Sequence, residues 1–509
     1  LKSVRSGFSD QLADLPRHAA LLSVAAMLDT LIIGSGFSGI GMGSALRRAG
    51  RARFEIWERA DELGGTWRDN HYPGCACDVA SPVYSFSFAP KPDWSSLYPK
   101  QPEILEYLRE VTCREGLEPH LRFGRNMVAA HWAGDCWTVQ AEDGSVANAR
   151  YLVLATGALS NGKLPDIPGR DSFAGAMWHS AAWNHDFDVT GKRIAVIGTG
   201  ASAIQFVPEI APQAARLTIF QRSAPWVMPK MDRPIPPEEA ETYRRRPWRQ
   251  RLLRLFLYLR NETLARRFNK MRGLEALEEI GRGAIAQQFS DLAMREKLTP
   301  RYRLGCKRLL ISNDWYPALA RDSVTVVTEP IEAITPLGIR TVGGGEHAVD
   351  AIIFGTGFEI EASWKGPDIR GLRGRLLRDE WSSAPRAHLG ISVAGFPNLF
   401  ITMGPATGLG HNSVVYMIEA QIAHIMSVMR LATSKWGKPV MPKRGAQDAF
   451  FADVQRRMAG TVWVKGGCQS WYLLGGRANY TLWPGHSFSY RRRVKKARAS
   501  EYQPVDVPG

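Results

Sequence analysis

One piece of grammar occurs twice in this chain and leaves few folds open to it: a short apolar strand, a glycine turn, a helix, and a second strand closed by a charged residue. The first copy runs from Thr30 to Glu58 and the second from Arg193 to Arg222. Each reads as a parallel strand–helix–strand unit, because strands buried on both faces are short apolar runs joined through a helix. In the first copy Gly34-Ser35-Gly36-Phe37-Ser38-Gly39 follows the strand text DTLII. Gly34 permits the tight turn, Gly36 lets the backbone approach a pyrophosphate, and Gly39 lets the helix pack closely, so that the helix N-terminus faces the phosphates. Phe37 and Ser38 belong to the same candidate site. The strand text FEIWE ends on Glu58, 24 residues after Gly34, where a carboxylate accepts hydrogen bonds from a ribose. With Glu58 in register, the glycines read as a dinucleotide site.

In the second copy Gly198-Thr199-Gly200-Ala201-Ser202-Ala203 follows RIAVI, with Ala203 in the last small-residue position. Its ribose reader is different. The strand text LTIFQR ends on Arg222, followed by Ser223, and no acidic residue stands there to select a free ribose hydroxyl. A guanidinium can grip a 2′-phosphate with two parallel hydrogen bonds, so NADP is expected rather than NAD. Two dinucleotide sites in one chain point to electron transfer from one cofactor to another.

At 509 residues the chain should divide into two or three units. The fold class expected is α/β, with two Rossmann-like dinucleotide-binding domains and a helical insertion. Between Pro234 and Thr299 the strand grammar gives way to charged, leucine-rich text such as RQRLLRLFLYLRNETLARRFNKMR, which reads as helix. The text from Asp350 to Phe354 is again a buried strand, and after Pro397 come an apolar strand, a glycine-rich loop and a long helix starting near Ser413. These are expected to complete the first sheet and to make the first domain discontinuous. The expected boundaries are 27–165 and 363–490 for the first domain, 166–230 and 304–362 for the second, and 231–303 for the insertion. Residues 1–26 carry an apolar stretch after Arg5 and Arg17. A dinucleotide-binding strand follows too closely for signal cleavage, so they are read as a disordered extension. The tail 491–509 is basic, then polar and proline-containing, and is expected to be mobile.

Four further motifs stand in order along the chain. Phe173, Gly175, His179 and Trp183 form the pattern FxGxxxHxxxW, followed by Asn184. Gly64-Gly65-Thr66-Trp67 leads through Tyr72-Pro73-Gly74 to Asp78. Ala155-Thr156-Gly157 and Gly355-Thr356-Gly357 close the two nucleotide units. On these residues the chain resembles the type I Baeyer-Villiger monooxygenases, related to the flavin-containing monooxygenases, from Leu31 to Pro484. It departs at Asn184, where the family usually has proline or aspartate.

The resemblance implies FAD in the first domain, NADPH in the second, and O2 and a small-molecule ketone as substrates. The implied product is an ester or lactone, formed through a flavin C4a-peroxide. It assigns Gly65, Thr66, Trp67, Tyr72 and Asp78 to cofactor binding. In the text Gly305-Cys306-Lys307-Arg308 it implies that Arg308 serves the peroxide and the substrate oxygen, with Asp78 orienting it, while Lys307 joins Arg222 and Ser223 at the NADP phosphate. A fixed cation suits a reaction that develops negative charge in a water-poor site. Ser470-Trp471-Tyr472 resembles a family motif whose indole contacts the nicotinamide cofactor. The loop from Gly404 to Asn412 suits a flavin ring at a helix N-terminus, with His411 expected to hydrogen-bond within the loop.

Charge and cysteine content set the competing readings. The net charge of +16 attracts nucleic acid, anionic membranes or phosphorylated ligands alike. No nucleic-acid-binding module accompanies the basic clusters, so no nucleic-acid partner is expected. No uninterrupted apolar run approaches the roughly 18 residues that span a bilayer. Arg251 and Arg254 accompany LLRLFLYL, but Arg260 lies opposite Arg251, which leaves no clean amphipathic face. The segment is read as a buried helix lining the substrate entrance, and peripheral membrane contact is not favoured. Six cysteines, including the pair Cys75 and Cys77, suit neither a disulfide framework nor a metal site. They are read as reduced thiols of a cytoplasmic protein without a metal. The alternatives are an N- or S-oxygenating flavin-containing monooxygenase and a basic, non-enzymatic protein of membrane surfaces.

Overall fold

The computed structural model describes residues 27–360, 365–474 and 478–506, so the extension expected over residues 1–26 lies outside the described residues. The first sheet is ordered Leu121–Arg122, Phe54–Trp57, Leu28–Ile33, Val146–Leu154, Trp137–Ala141, Met127–Trp132 and Asp368–Arg370, and Leu399–Ile401 also pairs with Val146–Leu154. Its centre is parallel, and Leu31, Ile32, Leu152 and Val153 are fully buried there. Asp368–Arg370 and Leu399–Ile401 come from far along the chain, so this domain is discontinuous. The long helix Val414–Leu431 packs against the helix Phe37–Arg48, where a Cβ on Gly41 would come within 2.9 Å of Ile422. Ser413 caps it, accepting from Val415 N at 3.3 Å. This helix is long and apolar enough to cross a membrane by composition alone, yet it lies mostly buried inside the protein.

The second sheet is wholly parallel and ordered Val324–Val327, Arg216–Phe220, Arg193–Ile197, Ala351–Phe354, Ala176–His179. Ala351–Phe354 therefore completes this sheet, inside the segment 304–362 expected for the second domain, and not the first sheet that its apolar text also allowed. Its apolar text suits either sheet; the polar residue before it decides. Asp350 accepts from Arg193 N at 2.8 Å and from its guanidinium at 2.7 Å, which fixes the strand beside Arg193–Ile197.

The insertion is helical, as expected, with helices Pro237–Arg245, Pro247–Lys270, Glu275–Gln288 and Leu292–Leu298. The long helix Pro247–Lys270 is not buried. Gln250, Leu257, Glu262, Ala265 and Phe268 are buried, while much of its apolar text lies in solvent.

The tail 491–506 is also ordered, contrary to expectation. The helix Ser487–Val494 leads to the strand Tyr502–Pro504, which pairs antiparallel with Val440–Pro442. The segment reads as polar because only Val494, Tyr502 and Val505 are inserted into the protein. Burial brings His424 down to about 4, so its neutral ring donates from Nδ1 to Val494 O at 2.8 Å and accepts from the Tyr502 hydroxyl at 2.9 Å. Tyr502→Ala should remove about 3–5 kcal/mol, lowering the calorimetric transition of the purified protein; an unchanged transition would mean that the tail does not anchor this domain.

Candidate active site

The first glycine turn is built by close approach. Gly34 has φ +103°, and a Cβ there would come 2.6 Å from Ala155 O; a Cβ on Gly39 would strike Gly34 O. Gly65, at φ +53°, leaves room for Gly36, whose Cα a Cβ would meet at 3.1 Å. The two glycine segments thus face each other with no side chain between them at the N-terminus of helix Phe37–Arg48, as a pyrophosphate requires. Ser35 donates to Glu58 from its amide at 3.0 Å and its hydroxyl at 2.8 Å. Arg68 pairs with the same carboxylate at 2.9 Å. Burial pushes the Glu58 carboxyl up, but Arg68 and Ser35 outweigh it and hold it below its usual value. Arg68 was not singled out in the sequence; its only signal is its place next to Trp67.

Of the other residues expected here, Ser38 is buried at the helix start and Thr66 opens the short helix Thr66–Asp69. Trp67 donates its indole N–H to the Tyr84 hydroxyl at 3.1 Å. The Phe37 ring packs among Tyr84, Phe86 and Tyr107, so its side chain serves the core.

The second turn repeats the geometry. Gly198 has φ +106°, and a Cβ there would come 2.4 Å from Gly355 O. Gly200 and Ala201 are exposed beside it, and Ser202 precedes the helix Ala203–Ile210. Lys307 donates to the Ser223 hydroxyl at 2.6 Å. Burial and the neighbouring Arg222 charge push the Lys307 amine below its usual value. Two like charges held near each other beside the Ser223 hydroxyl are relieved by an anion, an arrangement that suits a 2′-phosphate.

Asp78 and Arg308 meet where the two domains join. Arg308 donates from Nε to Asp78 Oδ2 at 3.0 Å and from Nη2 to Oδ1 at 2.7 Å, a bidentate pair. Its Nη1 reaches Leu409 O at 3.4 Å in the loop before Ser413. Asp78 raises the Arg308 pKa against the opposing effect of burial, so the guanidinium stays charged. About a third of the Arg308 side chain remains open, at 32%, so part of the guanidinium stays accessible to a ligand. The loop carrying Asp78 is locked to the second domain. The Tyr72 hydroxyl donates to Gln205 Oε1 at 2.9 Å, and Gln205 Nε2 donates to Ala76 O at 3.0 Å. Gln205 carries no mark in the sequence, since it reads as an ordinary helix residue.

A pyridine nucleotide-disulphide oxidoreductase family matches residues 31–238. A Baeyer-Villiger monooxygenase of Streptomyces coelicolor is 43% identical over 93% of this chain and 92% of its own length. The chain belongs to the Baeyer-Villiger monooxygenase family. Among solved structures, an oxidised steroid monooxygenase bound to NADP is 30% identical, covering 94% of this chain and 99% of its own, with a TM-score of 0.84. A complex of OTEMO with FAD and NADP is 27% identical, covering 92% and 97%, with a TM-score of 0.83.

The FxGxxxHxxxW pattern packs the junction between the two sheets. The Trp183 ring lies 5.8 Å from Trp178 and 5.1 Å from Phe206, and Phe206 lies 6.1 Å from Tyr72 of the first domain. His179 accepts from Ala181 N at 3.0 Å. Trp471 is exposed, with its ring 4.4 Å from the buried Tyr472, whose hydroxyl lies against Arg308.

The cysteines depart from expectation, because Cys306 and Cys468 form a disulfide, while Cys75, Cys77, Cys113 and Cys136 are free thiols. It ties the Lys307-Arg308 loop to the segment leading to Trp471. A separation of 162 residues gives no spacing signal, and only the fold brings the two sulfurs together.

His411 also departs from expectation, since it turns away from its own loop toward Glu262 of the insertion, with Nε2 3.4 Å from the carboxylate. Glu262 accepts from Asn412 Nδ2 at 2.8 Å and from Ser487 N at 3.1 Å, and His486 Nδ1 lies 3.1 Å away. One buried carboxylate thus joins the insertion, the Gly404–Asn412 loop and the C-terminal segment. Burial pushes Glu262 up, but His411, Ser487 and Asn412 bring it down to about 2. A carboxyl held below its ordinary 4.5 contributes fully above that pH and loses its contribution as pH falls toward 2. Glu262→Gln should therefore destabilise the protein near neutral pH but flatten its loss of stability on acidification, followed by tryptophan fluorescence. Parallel acid profiles of variant and parent would refute this anchoring.

Proposed function

We propose that the chain is an NADPH- and O2-dependent FAD monooxygenase that converts a ketone into an ester or lactone. The observation that carries this reading is the charged, partly open Arg308 held by Asp78 across the two dinucleotide-binding units. When bound, FAD would supply hydride acceptance from NADPH and electron delivery to O2, chemistry that no side chain supplies.

Gly34, Gly36, Ser38 and Gly39 hold the FAD pyrophosphate, Glu58 its ribose, and Gly65, Thr66 and Trp67 the facing side. The Gly404–Asn412 loop and the N-terminus of helix Val414–Leu431 favour negative charge beside the ring. Gly198, Gly200, Ala201 and Ser202 border the NADP pyrophosphate, while Arg222, Ser223 and Lys307 hold its 2′-phosphate.

Arg308 presents a permanent positive charge to the ketone oxygen. Negative charge gathers on that oxygen as the carbonyl is attacked, and a fixed cation in a water-poor site stabilises it more than solvent does. Asp78 orients the guanidinium and holds its charge, while the third of the side chain that stays open is what a substrate can reach. Trp471, exposed beside Tyr472, would contact the nicotinamide and limit the access of water.

In Arg308→Ala the flavin should still be bleached by NADPH at close to the parent rate, while ester formation falls by about a hundredfold or more. Stopped-flow absorbance and product mass analysis measure the two quantities separately. Ester formation that survives the substitution would remove Arg308 from the reaction.

A further inference from the structure

The long insertion helix Pro247–Lys270 carries two apolar stripes on opposite sides, which is why its sequence shows no single amphipathic face. The inner stripe includes Leu257, Ala265 and Phe268. The outer stripe is Trp248, Leu252, Leu255, Phe256 and Leu259, whose spacing returns each residue to one side of a helix with about 3.6 residues per turn. These five are at least half exposed, from 50% at Leu255 to 63% at Phe256. Scattered exposed apolar residues are ordinary, but five in a continuous stripe form a patch that marks an interaction surface.

Basic residues border the patch. Arg249 and Arg260 lie on one flank and Arg251 on the other, at about 100° of rotation per residue. Beyond Leu259 the same side becomes charged. Arg266, Arg267, Lys270 and Arg272 line a surface cleft of about 680 Å3, together with Leu259 and Phe488, which is 49% exposed. Arg244 is paired with Asp93 and Arg245 with Glu241, and Glu262, which lines the cleft with His486, is paired with His411 and His486. Among the described residues no ion pair involves Arg249, Arg251, Arg260 or the four cations of the cleft.

A second copy of the chain suits this face poorly, because apposing two such surfaces would bring unpaired arginines together in an apolar contact. An anionic bilayer satisfies both chemistries at once: the acyl boundary takes the apolar stripe, and headgroup phosphates take the arginines. We propose that the outer face of helix Pro247–Lys270 docks the enzyme on an anionic lipid surface, with Trp248, Leu252, Leu255, Phe256 and Leu259 at the acyl boundary and the Arg266–Arg272 cleft holding a headgroup. The contact is peripheral. A helix whose inner stripe is committed to the protein lies in the interface plane and does not cross it.

Sedimentation of the FAD-loaded protein with phosphatidylcholine vesicles, with and without phosphatidylglycerol, tests the proposal. Binding to the anionic vesicles should exceed binding to the neutral ones at least about tenfold and weaken with added salt. The pair Leu252→Ser with Phe256→Ser, and separately Arg251→Glu with Arg267→Glu, should each reduce binding about tenfold. Turnover of a water-soluble ketone should stay at the parent value. Trp248→Ser, on the first turn, repeats the comparison should either pair lose turnover. Parent protein that remains in the supernatant, or variants that bind like the parent, overturn the proposal. So does sedimentation-equilibrium detection of a parent dimer that Leu252→Ser with Phe256→Ser converts to monomer, which would assign the face to a second copy.

Discussion

The bidentate pair between Arg308 and Asp78 is the contact on which the rest of the site depends. Its partners lie 230 residues apart and belong to different domains, so it forms only when both sheets are complete and docked. Removing one member leaves the other's charge unpaired, whereas the intact pair keeps the guanidinium both charged and aimed. The surroundings serve that geometry. Gln205 locks the loop before Asp78, the Cys306–Cys468 disulfide fastens the loop before Arg308, and Leu409 O receives the third guanidinium contact.

Much of the fold was legible because its determinants are local. Gly34 and Gly198 adopt positive φ against backbone carbonyls, a demand that only glycine meets without strain, so the turns show in the text. Glu58 and Arg222 stand just after their strands, where the sequence pattern alone marks them as candidate ribose and phosphate readers. The convergence of Lys307 on Ser223 came only through the family resemblance, since a Lys-Arg pair by itself reads as solvated surface.

What stayed hidden is what packing decides. AIIF suits either parallel sheet, and Asp350 with Arg193 assigns it. Arg68 competes for Glu58 from a turn whose sequence advertises only its glycines and tryptophan. His411 turns to Glu262, a residue of the insertion that no local spacing connects to it. The tail reads as mobile because its anchors, Val494, Tyr502 and Val505, are sparse, although each is buried. The insertion helix reads as faceless because two apolar stripes cancel in any average taken around it.

The proposed reaction depends on the Arg308 guanidinium stabilising charge on a carbonyl oxygen. Product analysis under isotopically labelled O2 tests this most directly, with NADPH and a ketone offered beside an amine and a sulfide. The account predicts an ester or lactone that carries a single labelled oxygen atom, with the ketone consumed in preference to the other two. Label found only in an N-oxide or sulfoxide, with the ketone untouched, would contradict it.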